Sequence, residues 1–373
     1  MKRVLYFIQL PPPIHGAAMT NELVFNSTCI NTDIEKRLIR IKYSQNLSAI
    51  NKFSLKKVLK YTQFFFKFSY ELVFYRPNLV YYSIPPTGKG LYKDLPFVLV
   101  LKLLKVKPLY HLHGKGISQN VSKSKFIKNI HRWVYSNAVI VHLSLSLLEL
   151  EIKKLNLRNS DLHVVNNGII PIEKDFTKIN HSELDLNDDI LFLSNLRISK
   201  GILFALEILN KLLESNKKVK LNIVGDFRDV STRNKVMDYI KLNNIENNVI
   251  FYGALYGNKK FEVLAKTSFL LYPSFNDAYP LVLLESLQLG IPIVASNQGA
   301  IPEIVNDEVG YVFKTGDLSA AINLCEQMLN KTIAEKQHMS RECKYYFETN
   351  FTNTIFEKNM KQVINAALNE YIN

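Results

Sequence analysis

Cysteine is scarce in this chain. Cys29, Cys325 and Cys343 are scattered over 373 residues, without the spacing of a metal knuckle, a redox couple or a disulfide framework. An odd, sparse set fits a reducing compartment. Long apolar runs are also missing. The longest, Leu95 to Leu101, is broken by Lys102, far short of the ~20 residues that a membrane-crossing helix needs. Met1-Lys2-Arg3 leads straight into a strand-like run with no small-residue cleavage site. Neither a signal peptide nor a membrane span is therefore expected. No Asp-x-Asp cluster occurs. Acidic residues are short in one half only. Of the 47 Lys+Arg and 33 Asp+Glu, residues 1–170 carry 25 and 8, a net +17, which leaves 22 and 25, a net −3, for the remainder. Such asymmetry implies a polyanionic partner for the first half alone, either nucleic acid or an anionic membrane.

What is present describes a globular protein: 47% hydrophobic residues and a mean hydropathy of −0.02. A chain of this length is expected to split into two domains. Strand-like runs alternate with helical stretches in both halves, which predicts two parallel-sheet α/β domains. In the first half the strands are Arg3–Gln9, Lys36–Tyr43, Leu79–Ile84, Pro108–His113, Ala138–Ser144 and Leu162–Gly168. In the second they are Ile190–Leu196, Leu221–Asp226, Val249–Ala254, Ser268–Tyr272, Ile291–Ala295 and Gly310–Lys314. The polar stretch Ile170–Asp189 lacks a sustained period and marks the boundary.

The most informative stretch is Ser268 to Val305. An apolar strand ends at Pro273, a loop runs from Phe275 to Tyr279, and Pro280 opens a helix, Leu281 to Leu289, that Gly290 stops. Glu285 sits inside that apolar helix, where an unpartnered carboxylate would be strongly destabilising. Asp277 lies in the loop at the strand's carboxyl end, where open α/β sheets bind ligands. The N–H groups of Ala278, Tyr279 and Leu281 crowd the helix start and suit an anion or hydroxyl. Two readings stand side by side. In one, Glu285 pairs with a lysine and Asp277 caps the helix. In the other, both carboxylates face a ligand.

The run DAYPLVLLESLQLGIPIVASNQGAIPEIV closely resembles the signature of the retaining family 4 glycosyltransferases, enzymes of the GT-B fold in which two Rossmann-like domains face a cleft. That pattern is an acid, seven residues and Glu, followed by a Pro-hydrophobic strand and a Gly-Ile-Pro-Glu-Ile turn. Here the first acid, usually Glu, is Asp277, and the usual Gly after it is Ala278. The resemblance covers nearly the whole chain and implies a division into 1–175 on the acceptor side, 185–354 binding the donor, and a helix, 355–373, returning to the first domain. It implies that Glu285 holds the ribose hydroxyls, and that Asp277 with the adjacent amides holds those of the sugar. It also implies that Lys200 and the loop at Gly16 neutralise the diphosphate, and that His113, before Gly114, lies near the donor sugar. The family's Arg position falls on Asn195, and Arg197, two residues on, is the alternative. His111 and His113 are read as facing opposite sides of their strand. No cofactor and no metal are expected, because basic side chains can replace the cation. Rival readings are a nucleotide-sugar epimerase on the same fold and a non-catalytic nucleotide-sugar or nucleic-acid binder.

One helix carries the acceptor side. Asn51 to Tyr75 interleaves Lys52, Lys56, Lys57, Lys60 and Lys67 with Phe53, Tyr61, Phe64, Phe65, Phe66, Phe68 and Tyr70. Leu55, Val58, Leu59, Thr62, Phe65, Phe66, Ser69 and Leu72 make a core stripe, leaving Tyr61, Phe64 and Phe68 beside the lysines. The helix is either a core element with a solvated basic face or an interfacial helix, with Lys52, Lys56, Lys57, Lys60 and Phe64 against lipid. The second option, joined to the resemblance, implies a cytoplasmic enzyme held peripherally on the inner membrane face. It would use a lipid-linked glycan acceptor in surface-polysaccharide assembly and bind no nucleic acid.

Overall fold

The computed structural model describes residues 1–12, 15–41, 55–172, 188–215 and 217–369, with the backbone alone for 55–58. They form two compact units, one of residues 1–168 with 353 onward and one of residues 169–352. Much of the expected boundary, residues 173–187, lies outside the described residues.

The first unit is built on strands β1 (Lys2–Ile8), β2 (Ile34–Arg40), β3 (Leu79–Tyr82), β4 (Pro108–Leu112), β5 (Val139–His142) and β6 (Asp161–Val164). They lie in the order β2-β1-β3-β4-β5-β6, every pair parallel. The second unit has β7 (Ile190–Leu193), β8 (Leu221–Val224), β9 (Val249–Gly253), β10 (Phe269–Tyr272), β11 (Ile293–Ser296) and β12 (Gly310–Phe313). These run β12-β11-β10-β7-β8-β9, again all parallel. The class expected from the strand–helix rhythm, α/β with two parallel sheets, is therefore the one observed. Central strands such as β3, β7 and β10 are buried at every position, which is why they read as unbroken apolar runs.

Each sheet reverses its strand order once, between β1 and β3 in the first unit and between β7 and β10 in the second. Chains leaving neighbouring strands at such a point diverge to opposite faces and open a crevice at the carboxyl ends. Helix Asn353–Asn369 belongs to the first unit. Its stripe of Phe356, Met360, Val363, Ile364, Ala367 and Leu368 joins Val4, Tyr6 and Ile8 of β1 in one core cluster.

The opposite face of the first sheet is covered by α2 (Leu55–Tyr70) and α3 (Gly88–Leu103), among other helices. Here the expected stripe is rotated. Phe68 is fully buried, and Tyr61, Phe64 and Phe65 pack on the same cluster. Leu59 and Phe66, expected inside, are 61% and 70% exposed. The cause is Phe97 of α3, whose ring lies 5.5, 5.8 and 5.3 Å from those of Tyr61, Phe65 and Phe68. A ring-dense helix offers two stripes at helical spacing, and the one that meets a partner ring buries more area. Phe64 is partly buried and packs against this core cluster. Lys60 is exposed, the Lys56 and Lys57 side chains are not described, and Lys52 lies outside the described residues.

Candidate functional site

The site in the second unit starts from two glycines. Gly201 has φ +83, and a Cβ there would lie 2.0 Å from the Pro273 carbonyl oxygen, so only glycine lets the turn after β7 touch the end of β10. The contact is stitched by Ser199, whose carbonyl accepts from Phe275 N at 3.0 Å and Asn276 N at 3.2 Å. Lys200 is thereby placed on the loop after β10. Its ammonium pairs with Asp277 Oδ2 and donates to the Asn276 carbonyl at 3.2 Å. An ammonium has three protons, so one stays available. Tyr272 donates to the same Asp277 oxygen at 2.5 Å, while Asp277 Oδ1 accepts from Ala278 N at 3.0 Å. Burial, and after it the Asp277 charge, push the Tyr272 hydroxyl pKa well above its usual range, so it stays a donor.

From behind, Gly299 (φ +56) brings a turn so close that a Cβ would stand 2.4 Å from the Ala278 carbonyl. Ala300 N donates to that same carbonyl at 2.8 Å. The loop is clamped on both sides. Pro280 serves as N-cap of helix Leu281–Gln288, and no side chain caps the helix. Asp277 is therefore not its cap, and the amides of Tyr279 and Leu281 lie at a helix start with positive polarity. Ala278 and Tyr279 are buried.

Glu285 pairs with Lys260 at 2.7 Å, both side chains 16% exposed. The lysine pair foreseen as one reading of Glu285 is present, and its partner comes from helix Asn258–Leu264. Asn195 accepts from Arg228 Nε at 3.0 Å, whereas Arg197 is exposed and sits close enough to Asp229 to lower its pKa, behind the larger effect of hydrogen bonds from Thr232. Lys260 and Arg228 were absent from the sequence reading. Neither lies in a recognisable motif, and only the return of β8 beside β7, and of β9 beside β8, brings in the segments that carry them.

In the first unit, His15 precedes Gly16, the first residue of helix α1 (Gly16–Asn26), and its Nδ1 accepts from Ala18 N at 3.2 Å. His111 and His113 do not face opposite sides. Their rings lie 4.0 Å apart, because side chains two apart on a strand share a face. His111 hydrogen-bonds Tyr81 through Nδ1. Neither ring nitrogen of His113 has a hydrogen-bond partner among the described residues, although both are buried. Burial first, then the neighbouring His142 and His15, lower its pKa to about 3.

Comparison with known proteins decides the family of the second unit. Residues 174–346, just under half of the chain, match the family described as Glycosyl transferases group 1. The chain carries a group 1 glycosyltransferase domain. It is 26% identical over 232 residues to an N-acetyl-alpha-D-glucosaminyl L-malate synthase of Bacillus anthracis, covering 60% of this chain and 59% of that one. A lipopolysaccharide 1,6-galactosyltransferase of Escherichia coli is 29% identical over 142 residues, 36% of this chain and 37% of that one. The chain thus spans less than two thirds of these curated relatives. Among solved structures, HepE of Anabaena in complex with UDP-glucose has a TM-score of 0.70 at 15% identity over 98% of this chain and 100% of that one. That likeness extends through both units, and the fold is GT-B.

In the second unit, Asn195, Arg197 and Lys200 follow β7, Asp277, Ala278, Tyr279, Leu281 and Glu285 follow β10, and of these the structure joins Lys200 to Asp277. Gly16 and His113 belong to the other unit.

Proposed function

We propose that this chain is a retaining glycosyltransferase that moves a sugar from a nucleotide-diphospho sugar to a lipid-linked glycan acceptor. The observation that carries it is Asp277, held between Lys200 and Tyr272 beside an uncapped helix start at the strand-order reversal. In this reading Asp277 and the amides of Ala278, Tyr279 and Leu281 receive the sugar hydroxyls. Glu285, fixed by Lys260, accepts from the ribose hydroxyls. The spare proton of Lys200, with Asn195 or Arg197, meets the diphosphate, where negative charge grows as the anomeric C–O bond breaks. The acceptor hydroxyl forms the new bond on the same face and gives its proton to the departing phosphate oxygen. No divalent cation is needed, since the lysine supplies the compensating charge.

HepE's complex with UDP-glucose supports a UDP-sugar donor, and the lipopolysaccharide galactosyltransferase supports a role in bacterial polysaccharide, capsule or lipopolysaccharide assembly. The net +17 of residues 1–170 supports a peripheral position on the cytoplasmic membrane surface. A panel of UDP- and GDP-sugars is assayed for nucleotide release, with and without bacterial lipid extract and with EDTA. Lipid-dependent release from one donor, with an α-configured product from an α-configured donor by NMR, is expected. Conversion of the donor without any acceptor would replace this reading with an epimerase.

A further inference from the structure

The helical layer over the first sheet carries an apolar stripe that no other element covers among the described residues. Phe66, Tyr70, Val73 and Phe74 are 70, 57, 45 and 67% exposed. Their spacing of four, three and one residues places them on one face of α2 and of the π-helical turn Glu71–Tyr75 that prolongs it. The wide turn, closed by Arg76 N to the Glu71 carbonyl at 3.2 Å, sets the rings of Tyr70 and Phe74 side by side with centroids 4.5 Å apart. These rings cannot turn inward, because Tyr61, Phe64, Phe65 and Phe68 already fill the core side. Such turns concentrate at functional sites.

We propose that this stripe is the element that enters the lipid bilayer, with α2 lying in the plane of an anionic membrane surface. The inference rests on the membrane-side reading above and names the contact. Charge selects the occupant. Between residues 55 and 137 the sequence has fifteen Lys or Arg and two acids. Of those acids, Asp94 is buried and Glu71 is paired with Arg37 at 2.9 Å. Lys60 and Lys67 are exposed near the stripe. A second copy would set one basic surface against another, while anionic headgroups strengthen adsorption by about fivefold per lysine near the surface. The helix satisfies its own backbone donors and acceptors, as residence at the acyl boundary requires.

The test is co-sedimentation of the full chain with phosphatidylcholine vesicles, with and without about a third phosphatidylglycerol. Wild type, Phe66→Ser/Phe74→Ser and Lys60→Gln/Lys67→Gln are compared at low and high salt. Wild type is expected to bind the anionic vesicles. The ring variant should lose about tenfold per ring at either salt, and the lysine variant severalfold at low salt only. Equal binding by the ring variant overturns the proposal. So does a wild-type dimer in lipid-free solution that the ring variant abolishes, because the stripe is then a self-association face. The measurement uses no donor or acceptor. A missing transferase activity leaves it standing, and a urea unfolding curve by Trp133 fluorescence that matches wild type shows that the fold of the first unit survives in the ring variant.

Discussion

Replacing Asp94 by Asn should leave the stability of the first unit unchanged below about pH 4 and raise it increasingly above wild type as pH climbs to about 7, with the full gain at alkaline pH. Asp94 is 3% exposed inside the ring-lined core under α3. Burial raises its pKa to about 7, against smaller opposing effects of a hydrogen bond from Tyr82 and the charge of Lys93. The unfolded chain titrates near 3.9, so the shift of about 3 units corresponds to about 4 kcal/mol. The folded pKa is the higher one. The stability is therefore fully present below about pH 4 and is lost as pH rises through about 7. Asn keeps the shape and cannot ionise. Subtracting the two proteins cancels every other titrating group. The sole tryptophan, Trp133, lies in helix Lys125–Tyr135, whose Val134 and Tyr135 belong to the same core. Its fluorescence during urea unfolding therefore reports this unit alone. The difference in unfolding free energy, Asn minus wild type, should be near zero at about pH 3.5, reach about 1.5 kcal/mol at about pH 5 and level off at about 4 kcal/mol by about pH 8.5. A difference that stays flat across that range would refute a buried, protonated carboxyl.

Gly299→Ala should destabilise the second unit by more than about 2 kcal/mol and weaken nucleotide binding, because its Cβ would stand 2.4 Å from the Ala278 carbonyl; calorimetry and a nucleotide titration check both. Lys260→Met should cost about 3 kcal/mol by leaving Glu285 as an unpaired, mostly buried charge, and adding Glu285→Leu should restore most of it in urea melts. His113, lowered to about 3, should show no titrating imidazole shift by NMR between about pH 8 and pH 5. A shift with a midpoint near 6.5 would mean that water reaches the ring. Asp277→Glu lengthens the carboxylate by one methylene and should disrupt the bond from Tyr272 at 2.5 Å; unchanged turnover would show that the loop adapts.

The sequence alone determined the local and the repeated. Strands buried on both faces, such as Phe269–Tyr272, announce themselves as apolar runs because the core accepts nothing else on either side. Lys200 was legible beside Gly201, whose backbone demand is local, and Asp277 was legible in the run from 277 to 305 that carries the family resemblance. The tertiary structure decided whatever depended on partners distant in the chain. Which stripe of α2 turned inward was set by Phe97, some thirty residues away on α3. The same holds for Glu285, whose inward position was readable, whereas its counter-charge, Lys260, comes from a helix with no motif. Strand order decided the rest. Because β7 lies against β10, across many residues of intervening chain, Lys200 and Asp277 share one pair of charges, and periodicity along a chain holds no record of which strands become neighbours.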